Sequence, residues 1–174
     1  MERLRLPLAA LALAGLLAAV FVHVAALRGV DVTQAHPALW GLHVGVFVVF
    51  LPFVTMLKRT FNRPSRLADM KAVFPSWLLA CGFALMVYVG VNFALALVAL
   101  DGGSPAVRDG QYVLQDHGRL VRVIAATAYE AARAQEVRLF SGHWIFFYFV
   151  PFAFFVYGNP AAPRDGVGVN RMRP

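Results

Sequence analysis

Apolar residues gather into four long runs that contain no Asp, Glu, Lys or Arg: Leu6 to Leu27, Ala38 to Leu57, Ala72 to Leu100 and Leu139 to Gly158. Each reaches the roughly 20 residues that an α-helix needs to cross a bilayer core about 30 Å thick. In the third run Pro75 suits the first turn of a helix and Trp77 suits interfacial depth, so that span is expected to begin near Pro75 and to tilt. The pattern predicts an all-α, four-helix transmembrane bundle. Residues 1–174 form a single integral membrane domain with spans at about 6–27, 38–57, 75–100 and 139–158. The first run, 22 residues long, exceeds the apolar core of a signal peptide and is kept as a helix.

The one sizeable polar segment, Asp101 to Arg138, reads as a small external cap. Asp101-Gly-Gly-Ser-Pro marks a turn, Gln111-Tyr-Val-Leu a short extended piece, and Asp116-His-Gly the opening of a helical segment. From Arg119 to Arg138, Leu120, Ile124, Ala128 and Ala131 mark one side while Arg119, Arg122, Glu130 and Arg133 mark another. That is the spacing of an amphipathic helix, so residues 101–138 are expected to be an external loop with such a helix packed on the bundle mouth.

Composition agrees with lipid as the solvent. The chain is 60% hydrophobic and 14% charged, with a mean hydropathy of +0.65. A soluble domain carries nearer a quarter charged residues. Disorder, a disulfide scaffold and a large soluble enzyme domain are excluded, and Cys81 alone cannot form an intramolecular bridge. Inside the third span its thiol is expected to pack as a small apolar group.

A net charge of +7 would suggest nucleic acid in a soluble protein, but sorting the charges by side removes that reading. One side collects ten basic residues, among them Arg3, Arg5, Lys58, Arg59, Lys71 and Arg164, against three acids; the other collects six of each. The positive-inside rule then makes the first side cytoplasmic, with both termini inside. Arg outnumbers Lys fourteen to two, and Ala, Gly and Val abound, the habit of a GC-rich bacterium. A bacterial inner membrane is the expected location. The loop KRTFNRPSRLADMK could hold anionic headgroups, although its role as a topology determinant explains it sufficiently.

Small residues mark where helices meet. Ala12, Gly15 and Ala19 recur at three- and four-residue steps and lead to His23, so this stripe is expected to face protein. Gly41 and Gly45 form a GxxxG in the second span, consistent with one close crossing. In the third span Cys81, Leu85, Tyr88 and Asn92 share a face, and an amide at Asn92 should seek a partner in the bundle. The fourth span is dense in aromatics, which suits interfacial belts and lipid contact. FVVFLPF and FFYFVPF recur in the second and fourth spans, where Pro52 and Pro151 are expected to kink the helices. A duplicated hairpin is permitted, and so is chance recurrence of aromatic letters.

The candidate chemistry is histidine placement. His23, His43 and His143 lie four or five residues from the external ends of three different spans, at roughly 6–8 Å depth by helix rise. Imidazoles at one depth could bind haem b or a transition metal, or relay protons, and the Phe146, Phe147 and Phe149 rings could pack a porphyrin or a quinone. Histidines near helix ends also serve simply by hydrogen bonding to neighbouring carbonyls. Tyr88 and Asn92 supply a polar face nearby. There is no Walker loop, HExxH, CxxC or nucleophile elbow, and no carboxylate inside a span.

Two segments, GQYVLQDHG and RLFSGHWIFFY, resemble stretches of uncharacterised bacterial four-span membrane proteins, over about the last third of the chain. The resemblance implies no activity. The expected function is a non-catalytic accessory or interaction protein of the inner membrane. Its partners would be the lipid bilayer, other membrane proteins or a second copy of itself, with no nucleic acid. The alternative is a haem- or metal-binding component.

Overall fold

The computed structural model describes residues 2–60, 70–71 and 73–158. Most of the basic loop, and Arg164, Arg171 and Arg173, lie outside the described residues. In chain order a 3-10 turn at Glu2–Leu4 leads into α1 (Arg5–Leu27) and a single helical turn, α2 (Val32–Ala35); a second 3-10 turn at Pro37–Trp40 opens α3 (Gly41–Thr60). Then follow α4 (Ser76–Leu100), β1 (Ser104–Arg108), β2 (Gln111–Asp116), β3 (Arg119–Val123) and α5 (Ala126–Tyr157). Four helices, α1, α3 with its preceding turn, α4 and α5, are long and apolar enough to cross a membrane.

Helix α5 is the hub, packing on α1, α3 and α4, with its most extensive contact to α1. The small stripe of α1 makes this possible: Ala12, Gly15, Ala19, Val22, His23 and Ala26 are all buried. Without a hydrophobic drive between helices in lipid, close van der Waals fit and interhelical hydrogen bonds hold such a bundle. Tyr148 of α5 supplies the fit. Its ring lies where a Cβ on Gly15 would project, its hydroxyl where a Cβ on Gly45 would, and that hydroxyl donates to the Leu42 carbonyl at 2.9 Å. Of the GxxxG pair, then, Gly45 admits a tyrosine, and Gly41 has nothing within 4 Å of its missing Cβ.

This arrangement corrects the reading of the fourth span as lipid-facing aromatics. Trp144, Tyr148, Phe154 and Phe155 are buried, because a central helix shows most of its sides to protein. Phe53, Phe74 and Phe154 meet edge to face or tilted near the basic end of the bundle. There Arg5 donates to the Phe154 and Phe155 carbonyls at 3.2 Å and also to the Gly158 carbonyl. A guanidinium on the last carbonyls of a helix supplies further donors to them and opposes the helix dipole, so it ties the start of α1 to the end of α5. Cys81, by contrast, is exposed on α4 instead of packed.

The cap is the second correction, since the fold is not purely helical. Residues expected to begin an amphipathic helix at Arg119 form β3 of an antiparallel meander ordered β1-β2-β3. Two tight turns explain it. Asp109-Gly110 and His117-Gly118 all have φ between 49° and 81°, the left-handed pairs that a two-residue hairpin turn requires. They set the register Arg108 opposite Gln111 and Asp116 opposite Arg119. The helix starts only at Ala126 and runs without a break into the fourth span. At 32 residues it is about 48 Å long by helix rise, well beyond a 30 Å core. Its first three turns, with Glu130, Arg133 and Glu136, therefore project outward and carry the sheet, Leu114 packing with Leu100 and Ala132. Arg133 reaches back to Asp31 at 3.1 Å, a carboxylate almost wholly buried at the N-cap of α2.

Replacing Gly15 by alanine is expected to push the Tyr148 ring out of its slot and cost about 1–3 kcal/mol, the usual penalty of overpacking. Gly41→Ala should be close to neutral, because its Cβ meets open space. Detergent-titrated unfolding of the two variants beside the parent chain checks the contrast; equal losses would contradict it.

Candidate functional site

Three helices meet in a polar cluster on the cap-side half of the bundle. α1 brings His23, α4 brings Tyr88 and Asn92, and α5 brings Arg138, Ser141 and Gly142. The helical period explains the grouping: Tyr88 and Asn92 are four apart, as are Arg138 and Gly142, so each pair shares a face.

The hydrogen bonds run in one direction. Ser141 Oγ lies 3.3 Å from the Arg138 carbonyl and can only donate to it, so the serine oxygen accepts from His23 Nδ1 at 2.9 Å. His23 then carries its proton on Nδ1 and accepts the Tyr88 hydroxyl on Nε2 at 2.6 Å. The Tyr88 and His23 rings meet edge to face, 5.7 Å between centroids. Tyr88 is 40% exposed at the bundle surface, and His23 and Ser141 are buried. A chain of donors thus leads from the surface tyrosine to a main-chain carbonyl of α5.

Asn92 is read twice by one residue. Arg138 Nε donates to its Oδ1 at 2.7 Å, and its Nδ2 donates to the Arg138 carbonyl at 3.2 Å. The amide predicted to need a partner has both its oxygen and its nitrogen satisfied. Arg138 also donates to Gln135 Oε1 at 3.3 Å, so its guanidinium bonds to Asn92 and Gln135 both end on neutral acceptors. Gly142 leaves the room: a Cβ there would stand 2.6 Å from Asn92 Nδ2 and 3.5 Å from His23 Cε1.

Of the residues singled out from sequence, the structure brings together His23, Tyr88 and Asn92, and it places His43 and His143 elsewhere around α5. His43 accepts the Trp144 indole N–H on Nδ1 at 3.1 Å and lies among the Phe47, Phe140 and Trp144 rings. With Nδ1 accepting, its Nε2 bears the proton. His143 turns toward α4, edge-on to Phe93 at 5.1 Å, and donates from Nδ1 to the Leu139 carbonyl one turn earlier at 2.8 Å. Ser141, His143 and Trp144 stand at successive angles around one helix, so the three imidazoles meet different sides of α5. Of these three imidazoles, His143 alone keeps a lone pair, on Nε2, that these bonds do not use. Among the described residues no three His, Cys, Asp or Glu side chains group as a metal site would need.

Sequence reasoning missed Arg138, Ser141 and Gly142. Arg138 closes the polar segment and so reads as solvent-facing, while Ser and Gly have no distinctive signal inside a span. The usable hint was spacing: Arg138, Ser141 and Gly142 stand at i, i+3 and i+4 on a helix, the face that must meet Asn92.

The class defined by these features is a helical membrane bundle with a central long helix, an internal polar cluster and a β-meander cap. Comparison with known proteins finds no matching family model, no similar curated protein and no similar solved structure.

Gly142→Ala is expected to drive the Asn92 amide off Arg138 and to destabilise the bundle by about 1–3 kcal/mol. Gly82→Ala, whose Cβ would meet Phe149 at an ordinary 3.7 Å, serves as the control and should lose little. Unfolding midpoints in mild detergent decide it, and a loss no larger than the control's would remove the cluster's role in stability.

Proposed function

We propose that the protein is a non-catalytic accessory protein of a bacterial inner membrane, multi-pass with cytoplasmic termini, whose cap binds another membrane protein. One observation carries this reading. Strand β3 is exposed along all five residues at the edge of the sheet, with Leu120, Val121 and Val123 at 52%, 49% and 55% exposure. Among the described residues its outer edge pairs with no further strand. Arg119 and Arg122 share the strand with these three exposed apolar side chains, and its free edge offers main-chain donors and acceptors for strand addition. The cap rests on the projecting part of α5, so a partner bound there would be coupled mechanically to the hub of the bundle. The polar cluster supports the same reading, because its groups are bonded to one another in a way that locks helices together.

A photo-crosslinking residue at Val121, in intact membranes, should give a discrete heavier band that fades when Leu120 and Val123 are both changed to lysine. A band at twice the chain's mass would redirect the reading to self-association. Crosslinking to lipid alone would contradict it.

The haem b or transition-metal reading retains one specific support, the unused Nε2 of His143. It predicts a Soret band or bound metal lost on His143→Ala. A colourless, metal-free preparation that takes up neither would end it.

A further inference from the structure

Between α3 and α4, with α5 as its floor, lies a cavity of about 450 Å³. Phe53 and Leu57 of α3 form one wall, Leu79, Phe83 and Met86 of α4 the other, and Phe149 lies on the floor. Every residue lining it has an apolar side chain or none, so nothing in it would orient a polar headgroup such as a quinone ring.

Its depth is informative. Measured from the start of α4 and the end of α5, Met86 and Phe146 lie about 15–17 Å in by helix rise. That is half of a 30 Å hydrocarbon core, the depth of one leaflet. A docked transmembrane helix would need the groove to run on through the other half. There α4 closes on α5 through the Asn92–Arg138 bonds and the Phe93–His143 contact. Complementary charge lies close by in the chain: Leu57 and Met70 line the cavity, Lys58 and Lys71 follow them in sequence at the basic end, and both lysines are exposed.

We propose that this groove holds one acyl chain of an anionic phospholipid from the leaflet at the basic end, with its phosphate resting against Lys58 and Lys71. The walls take the chain by van der Waals contact with aromatic and thioether groups, and Gly82 keeps the groove open where a larger side chain would fill it. The lysines add selectivity, each favouring an anionic headgroup over a zwitterionic one by roughly five-fold at low salt. The site is independent of the cap, so its failure would leave the partner-binding reading untouched.

Native mass spectrometry of the full chain, in mild detergent doped with equal phosphatidylglycerol and phosphatidylcholine, tests this directly. The expected result is one retained phosphatidylglycerol adduct, preferred over phosphatidylcholine by roughly five-fold or more. Gly82→Trp should abolish it. Met86→Trp, on the exposed rim of the same wall, should do the same if the first variant does not insert. Lys58→Gln with Lys71→Gln should keep a single adduct and erase the headgroup preference. Several adducts of equal strength, untouched by either tryptophan, would overturn the proposal. So would retention of a quinone, or of a second protein, that either tryptophan displaces.

Discussion

The alanine–glycine face of α1 lets α5 approach closely enough to seat a tyrosine and a tryptophan against it, and the other contacts of the bundle depend on that approach. In lipid, burying one apolar residue against another gains little, since the solvent is equally apolar. Shape and hydrogen bonding must do the holding instead. Tyr148 fills the space left by Gly15 and Gly45 while its hydroxyl ends on a carbonyl of α3, so one side chain joins three helices. Arg5 fastens the opposite end by capping α5.

The polar cluster extends the same logic to α4. Apart from the cluster and the aromatic contacts near it, α4 leans on α5 alone, with no comparable packing on α1 or α3. His23 reaching Tyr88 and Arg138 reaching Asn92 give it a fixed rotation and depth. A buried polar group costs most when left unmatched, which makes such a network specific as well as cohesive. Because α5 continues unbroken from Arg138 to the cap, the same helix that fixes the spans also positions the sheet through Ala132 and the α2 turn through Arg133.

The spans were legible because a 20-residue run without charge has few alternatives; the limits of the first three agree within a few residues, whereas the fourth helix begins at Ala126, well ahead of the apolar run that starts at Leu139. The inward stripe of α1 was legible too, since small residues at helical spacing have a packing reason. Rotation of the aromatic helix was not, because phenylalanine suits lipid and protein interior alike. In the cap, the leucine and alanine positions from Leu120 to Ala131 fit a helical period, and that period outweighed two stronger local signals: Asp109-Gly110 and His117-Gly118 bracket six residues with strand-forming character. For the site, helical spacing singled out Tyr88 and Asn92 on one face of the third span, while matching depth grouped His23 with His43 and His143, since depth along a helix says nothing of angle around it.

Once α5 is seated on α1, the matched polar contact between Asn92 and Arg138 fixes α4 on α5, and a double-mutant cycle on the two residues tests this most directly. Asn92→Leu, Arg138→Met and the double variant would be compared by unfolding in mild detergent. The double variant is expected to lose less than the two single losses combined, by about 0.6 kcal/mol or more, because each single change strands a polar partner. Losses that simply add would show that the two side chains do not hold each other, and would contradict it.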